Sequence, residues 1–156
     1  LNEYLQFSRS NFTEKIEKFN LSELISETAK KYEERNILIN QENEIFFTGR
    51  KNLIKRCLNN LLDNSVNFAK TIKITHQKIK RNVLIFIGDN GPGIPSSEYQ
   101  NVFKPFYKID KSRSQKKSSV GLGLSITSDI IRSHGGNIEL GKSDMGGLKI
   151  KIILPV

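Results

Sequence analysis

The run Asn82-Val83-Leu84-Ile85-Phe86-Ile87-Gly88 is β-branched and aromatic, and it ends in Asp89-Asn90-Gly91-Pro92-Gly93-Ile94. Its composition reads as a strand buried on both faces. A carboxylate therefore stands just past a core strand, where burying it without a partner is costly. Glycine lets the backbone turn sharply and lets a ligand come close, while Pro92 fixes one torsion. Taken alone, the stretch supports two readings. Either Asp89 accepts a hydrogen bond from a ligand for which the glycines make room, or this is a tight turn with a solvated Asp.

The strongest helical pattern precedes it, from Arg50 to Phe68. At about 100° per residue, Ile54, Cys57, Leu58, Leu61, Leu62 and Val66 cover a broad apolar arc. Asn60, Asn64 and Asn67 form a narrow stripe at its edge. Asn is a poor interior helix former, because its amide competes for the backbone. Three in line beside a core face suggest a polar site, with a solvated face as the alternative. Upstream, Leu21, Leu24, Ile25, Thr28 and Tyr32 share one face of a helix that Asn20 or Ser22 would cap and Arg35-Asn36 would end. Ile37-Leu38-Ile39 and Ile45-Phe46-Phe47 read as short strands on either side of a polar turn.

Thr71 to Ile79 alternates polar and apolar, forming an expected hairpin with Val83 to Ile87 across Lys80-Arg81-Asn82. His76 lies on its first strand and is expected at the surface. After the glycine turn, Ser96 or Ser97 would cap a short helix running to about Val102. Ile109 to Val120 is rich in Ser and Lys and lacks an apolar period, which predicts a mobile loop. Gly121-Leu122-Gly123-Leu124 then opens a helix with Leu124, Ile126, Ile130 and Ile131 as apolar positions, and Gly135-Gly136 stops it. His134, in its last turn, suits helix capping better than catalysis. Asn137 to Leu140 and Leu148 to Leu154 form a closing strand pair.

Composition narrows the chemistry. With one cysteine, Cys57, an intrachain disulfide or a cysteine metal site is excluded, and its place in a helical pattern marks a buried hydrophobe. No apolar run reaches membrane-spanning length. The net charge of +9 is spread along the chain among acids, with Lys108 to Lys117 as the one local basic cluster. That charge bears on solubility and steering more than on a dedicated nucleic-acid role. A glycine-opened helix offers backbone amides to phosphate, and a preceding basic loop can neutralise a polyphosphate. A hard cation such as Mg²⁺ often takes only one or two oxygens from protein. The Asn64 amide oxygen suits that role. GxxxxGK and GxGxxG are both absent.

Four ordered segments carry a family resemblance: Asn60-Leu61-Leu62-Asp63-Asn64-Ser65-Val66-Asn67-Phe68, Asp89-Asn90-Gly91-Pro92-Gly93-Ile94, Val102-Phe103-Lys104-Pro105-Phe106 and Gly121-Leu122-Gly123-Leu124. They resemble the asparagine, first glycine, phenylalanine and second glycine boxes of sensor histidine kinases, over roughly residues 15 to 156. The ending Leu140 to Leu148 looks most like the bacterial osmosensor kinases of the EnvZ type. The resemblance implies an α+β fold, a two-layer α/β sandwich with about three helices on one face of a mixed sheet of about five strands and a flexible ATP lid. Residues 1–14 would be the end of an upstream dimerisation helix and linker, and residues 15–156 the catalytic ATP-binding domain.

By position, the resemblance implies that Asp89 binds the adenine amine, with Gly91, Gly93 and Ile94 beside the ring and Phe68 bordering the pocket. Asn64 would ligate Mg²⁺. Asn60 would lie near the phosphates, and Asn60 and Lys108 would act at the transferring group. Gly121, Leu122 and Gly123, followed by Leu124, would present amides to the phosphates, and Phe103 and Phe106 would anchor the lid beside Tyr107. Three positions depart from the family pattern. Asn67 stands where Lys or Arg is usual, Lys108 where Arg is common, and Ser119 where a first glycine is usual. An ammonium does not replace a bidentate guanidinium.

Neither His76 nor His134 has the sequence context of a phosphoacceptor. The resemblance thus implies a cytoplasmic fragment that binds Mg-ATP but does not autophosphorylate alone. Its implied partners are its own dimerisation domain in a homodimer and a response-regulator receiver domain. The full-length protein would sit in the bacterial inner membrane, while this fragment would touch neither membrane nor nucleic acid. The competing functions are an ATPase or Ser/Thr kinase of the wider gyrase and chaperone superfamily, and a basic nucleic-acid-binding module.

Overall fold

The computed structural model describes residues 13–40, 44–107 and 123–156. Among them, strand β1 (Glu17–Asn20) leads directly into helix α1 (Leu21–Ala29), which tightens into a 3₁₀ turn at Lys30–Tyr32. Strands β2 (Asn36–Asn40) and β3 (Phe46–Gly49) follow, then helix α2 (Lys51–Phe68) and the hairpin β4 (Thr71–Ile79) and β5 (Asn82–Asp89). Two 3₁₀ turns, Ser96–Glu98 and Asn101–Phe103, precede helix α3 (Gly123–Ser133) and strands β6 (Asn137–Lys142) and β7 (Leu148–Pro155).

Five strands form one mixed sheet in the order β2-β4-β5-β7-β6, and β1 pairs β3 in a separate two-stranded sheet. Among the described strands, only β2 and β4 run parallel, with Ile37 beside Ile72 and Ile39 beside Ile74. Antiparallel neighbours can be joined by a tight turn, but a parallel pair needs a crossover, and α2 lies within that crossover. The core joins the inward faces of the helices, including Leu24, Ile54, Leu61 and Ile130, to Ile74, Ile85, Ile87 and Ile152 of the sheet. This is the expected two-layer α+β sandwich. The segments 1–12 and 108–122, on which the upstream helix and the lid were placed, lie outside the described residues.

Several local expectations are corrected. β5 is not buried on both faces: Val83, Ile85, Ile87 and Asp89 are buried, while Leu84, Phe86 and Gly88 are half-buried. The described helices cover one face of the sheet. On the other, Lys149 and Lys151 lay their ammonium groups 5.9 and 6.0 Å from the Phe86 ring centre. Asn20 is the cap of α1, its Oδ1 accepting from Glu23 N at 2.9 Å, whereas Ser22 is buried in the core. The Ser96 and Ser97 side chains cap no helix, and two 3₁₀ turns replace the expected one.

His76 is buried, not exposed. It faces inward from β4, 2.8 Å from Ser22 Oγ, which also accepts the Ile45 amide at 2.9 Å. Burial disfavours the charged imidazolium and lowers the His76 pKa. Cys57 is fully buried as expected, and burial raises its thiol pKa.

Candidate functional site

The site begins where β5 leaves the sheet. Asp89 is only 6% exposed, so its carboxylate needs partners. Both of its side-chain bonds run to one oxygen. Oδ1 accepts from Gly91 N at 2.9 Å and from Leu148 N at 3.1 Å. The Asp89 carbonyl accepts the Gly147 amide at 3.1 Å. Among the described residues, no partner is recorded for Oδ2. The chain therefore fixes the carboxyl group through Oδ1.

Packing requires glycine here. A Cβ on Gly147 would stand 2.1 Å from Asp89 Oδ1 and 2.6 Å from Gly91 N. A Cβ on Gly91 would stand 2.6 Å from the Phe68 carbonyl oxygen at the end of α2. Gly93 has φ +68°, a left-handed conformation that a side chain would strain. Asn90 completes the joint, its Oδ1 accepting the amides of Lys70 and Thr71 at 3.0 and 2.9 Å. The end of α2, the start of β4 and the end of β5 are thus tied together.

The pocket over this joint is lined by Asn64, Phe68, Asp89, Pro92, Gly93, Ile94 and Leu148, and it opens to solvent. Of the sequence-predicted residues, Asn64, Phe68, Asp89, Gly93 and Ile94 meet there, and Gly91 lies beneath them through its bond to Asp89. Asn60, one turn earlier on α2, donates from Nδ2 to the Gly123 carbonyl at 3.5 Å and so links α2 to the start of α3. Thr127 Oγ1 donates to that carbonyl at 2.9 Å. Among the described residues, a Cβ on Gly123 would meet nothing within 4 Å, so their packing places no demand for glycine there. Leu124 packs against the core, and Asn67 is half-buried outside the pocket lining.

Phe103 also packs against the core, whereas Phe106 is 56% exposed and has φ +65°. Tyr107 donates its hydroxyl to Glu98, a bond that raises the Tyr107 pKa. Lys108, Gly121 and Leu122 lie outside the described residues. Among the described residues, no cluster of three or more His, Cys, Asp or Glu could hold a metal. A cation here would take an amide oxygen, with Asn64 on the pocket wall.

Three contributors escaped the sequence reading. Leu148 supplies both wall and amide, and Gly147 lets that amide reach Asp89. The pair Gly146-Gly147 before the last strand is the signal the sequence offers for it. The third is Tyr32, which donates its hydroxyl to Asp63 beside Asn64 and fixes α1 to α2. Burial and that bond raise the Tyr32 pKa. Neither partner announced the pairing, because 31 residues separate them.

Residues 49–156 match the family described as histidine kinase-, DNA gyrase B-, and HSP90-like ATPase. Sensor histidine kinase CpxA of Escherichia coli (strain K12) is 31% identical over 109 residues, 69% of this chain and 24% of its own length. Sensor protein kinase WalK of Staphylococcus haemolyticus is 35% identical over 101 residues, 62% of this chain and 17% of its own. The chain thus spans about a quarter or less of these curated relatives. Among solved structures, the catalytic domain of histidine kinase ThkA superposes with a TM-score of 0.80 at 28% identity, covering 90% of this chain and 95% of that one.

Proposed function

Since this chain belongs to the histidine kinase-, DNA gyrase B-, and HSP90-like ATPase family, we propose that it is the ATP-binding catalytic domain of a two-component sensor histidine kinase. The observation that carries this reading is the Asp89 carboxylate, pinned through Oδ1 at the floor of an open pocket. A buried, oriented acceptor between apolar walls suits the exocyclic amine of adenine. Phe68 and Ile94 would flank the ring, and the turn of Gly91 and Gly93 would let it approach.

The phosphates would then run along α2 toward the start of α3. Asn60 and Lys108 would act at the transferring group, and the amides of Gly121, Leu122 and Gly123, at the start of the helix that carries Leu124, would receive phosphate oxygens. The space at Gly123, free among the described residues, supports this placement. Asn64 would contribute an oxygen to Mg²⁺, which when bound neutralises phosphate charge. A lone amide suits a hard cation that keeps its water and arrives with the nucleotide. Catalysis would be mostly positioning and charge stabilisation of the transferred phosphoryl group.

The acceptor would be a His on a dimerisation domain upstream, within a homodimer, and a response-regulator Asp would receive the group from it. We place the whole protein in the bacterial inner membrane with this domain on the cytoplasmic side. Among the described residues, no helix is long and apolar enough to cross a membrane. The ending Leu140 to Leu148 supports a finer placement with the osmosensor kinases. The test is to supply a His-bearing dimerisation hairpin in trans with Mg-ATP. Acid-labile, base-stable phosphorylation of that His is expected. ATP hydrolysis without phosphohistidine would favour an ATPase of the wider superfamily.

A further inference from the structure

We infer that Glu14 is a positioning residue for the nucleotide pocket, gripping the start of α2 from the segment that enters the domain. This rests on the reading of the pocket as an ATP site. α2 is poorly equipped to begin by itself. Its cap residue Arg50 makes no side-chain capping bond, its first turn holds no acid, and Lys51 adds a positive charge at the positive end of the helix dipole.

Glu14 supplies what is missing. Its Oε2 accepts Asn52 N at 2.6 Å and its Oε1 accepts Leu53 N at 3.1 Å, which satisfies two orphan amides of the first turn with a charged acceptor. The Glu14 carbonyl accepts from Arg50 Nε at 3.0 Å.

The grip extends to α3. Arg50 donates its amide to His134 Nε2 at 3.0 Å, and His134 Nδ1 lies 2.8 Å from the Ile130 carbonyl in the last turn of α3. An amide can only donate and a carbonyl can only accept, so these partners specify the Nδ1–H tautomer. Gly49 makes the approach possible, since a Cβ there would stand 2.8 Å from His134 Cδ2.

One junction therefore holds the start of α2 and the end of α3. The far end of α2 carries Asn64 and Phe68 on the pocket wall, and the start of α3 meets the middle of α2 through the Asn60–Gly123 bond. An 18-residue helix is a rod of about 27 Å, so fixing its start constrains where its last turns stand over β5. Glu14 lies outside residues 49–156, which match the family. The grip thus belongs to the entering segment, and its release would be felt at the nucleotide.

The experiment uses the 156-residue chain, amide hydrogen exchange at Asn52 and Leu53, and calorimetric affinity for a non-hydrolysable ATP analogue with Mg²⁺. Glu14→Ala is expected to lose protection at both amides and to weaken the analogue by roughly threefold to tenfold, the range of a lost cap transmitted between sites. In the wild type, the analogue should raise protection at the same amides, because coupling is reciprocal.

Adding Lys51→Glu to Glu14→Ala gives α2 a local acid. It should restore thermal stability and leave affinity low, because the entering segment stays untied. Affinity that recovers with stability would reduce Glu14 to an ordinary helix cap and overturn the inference. So would a wild type and a Glu14→Ala variant that bind equally. Should Glu14→Ala fail to fold, Glu14→Gln, which keeps one acceptor oxygen, takes its place with a smaller loss expected and equal affinity overturning. A wild type that binds no analogue would sink the ATP reading and this inference together.

Discussion

Replacing Asp89 by Asn separates recognition from folding. The two backbone bonds of the side chain both fall on Oδ1, from Gly91 and Leu148. An Asn in the same rotamer keeps a carbonyl oxygen there and presents an amide NH₂ where Oδ2 stood. The joint between β5, β7 and the glycine turn should therefore survive, and stability should change little. The ligand would meet a donor in place of an acceptor. Losing one hydrogen bond to a charged group costs about 1.5–3 kcal/mol, which is roughly 10- to 150-fold in affinity for an adenine nucleotide. The same inversion should improve the relative affinity for an inosine nucleotide, whose ring carbonyl accepts where adenine donates. Asp89→Ala is the contrasting variant. It leaves the buried Leu148 amide without its acceptor, at about 1–3 kcal/mol, and the half-buried Gly91 amide at less, and should lose stability as well as binding. Competitive titration of adenine and inosine triphosphate analogues, with thermal melts of each variant, measures both arms. Unchanged adenine affinity in Asp89→Asn, or an equal loss for both bases, would refute the assignment of Asp89 to the base.

Asn64→Ala should weaken nucleotide binding roughly tenfold in Mg²⁺, the low end of losing a supporting group at a metal site, and little in EDTA. Equal losses in both buffers would argue against a metal role. Stability should also depend on pH through His76. Its folded pKa is lowered by burial, so the unfolded chain takes up a proton that the folded one resists. The contribution is present above the unfolded value of about 6.5 and is lost as pH falls below it, with a slope of at most about 1.4 kcal/mol per pH unit. Denaturant titrations of wild type and His76→Gln between pH 7.5 and 5, a range set by that unfolded value, should differ by this slope, and parallel curves would contradict it. In the β4–β5 turn, Lys80 has φ +56°, so Lys80→Gly should stabilise by about 1 kcal/mol, read from chemical denaturation.

Much of this architecture is legible in the sequence because it rests on local pattern. The apolar arc of α2, the alternation of β4 and the Gly135-Gly136 stop mark element limits from neighbours a few residues away. What escaped depends on distant partners. β1 has four residues and a single buried one, Phe19, so it shows no alternation until it pairs with β3. His76 looked exposed because Ser22, which receives it, lies 54 residues upstream. Asp89 and Gly93 line the pocket with Gly91 beneath them, but Gly91 and Gly147 serve to bring Phe68 and the β7 amide against Asp89. Spacing along the chain could not convey that three-way contact. Phe106 is the opposite case: its place in a motif suggested an anchor, and the backbone turns it out to solvent.

The most direct measurement is calorimetric titration of the 156-residue chain with a non-hydrolysable ATP analogue, with and without Mg²⁺. Saturable one-to-one binding that tightens in Mg²⁺ is expected, and Asp89→Asn should weaken it under both conditions. No binding heat at high analogue concentration, or wild-type affinity retained in Asp89→Asn, would contradict an adenine pocket at the end of β5.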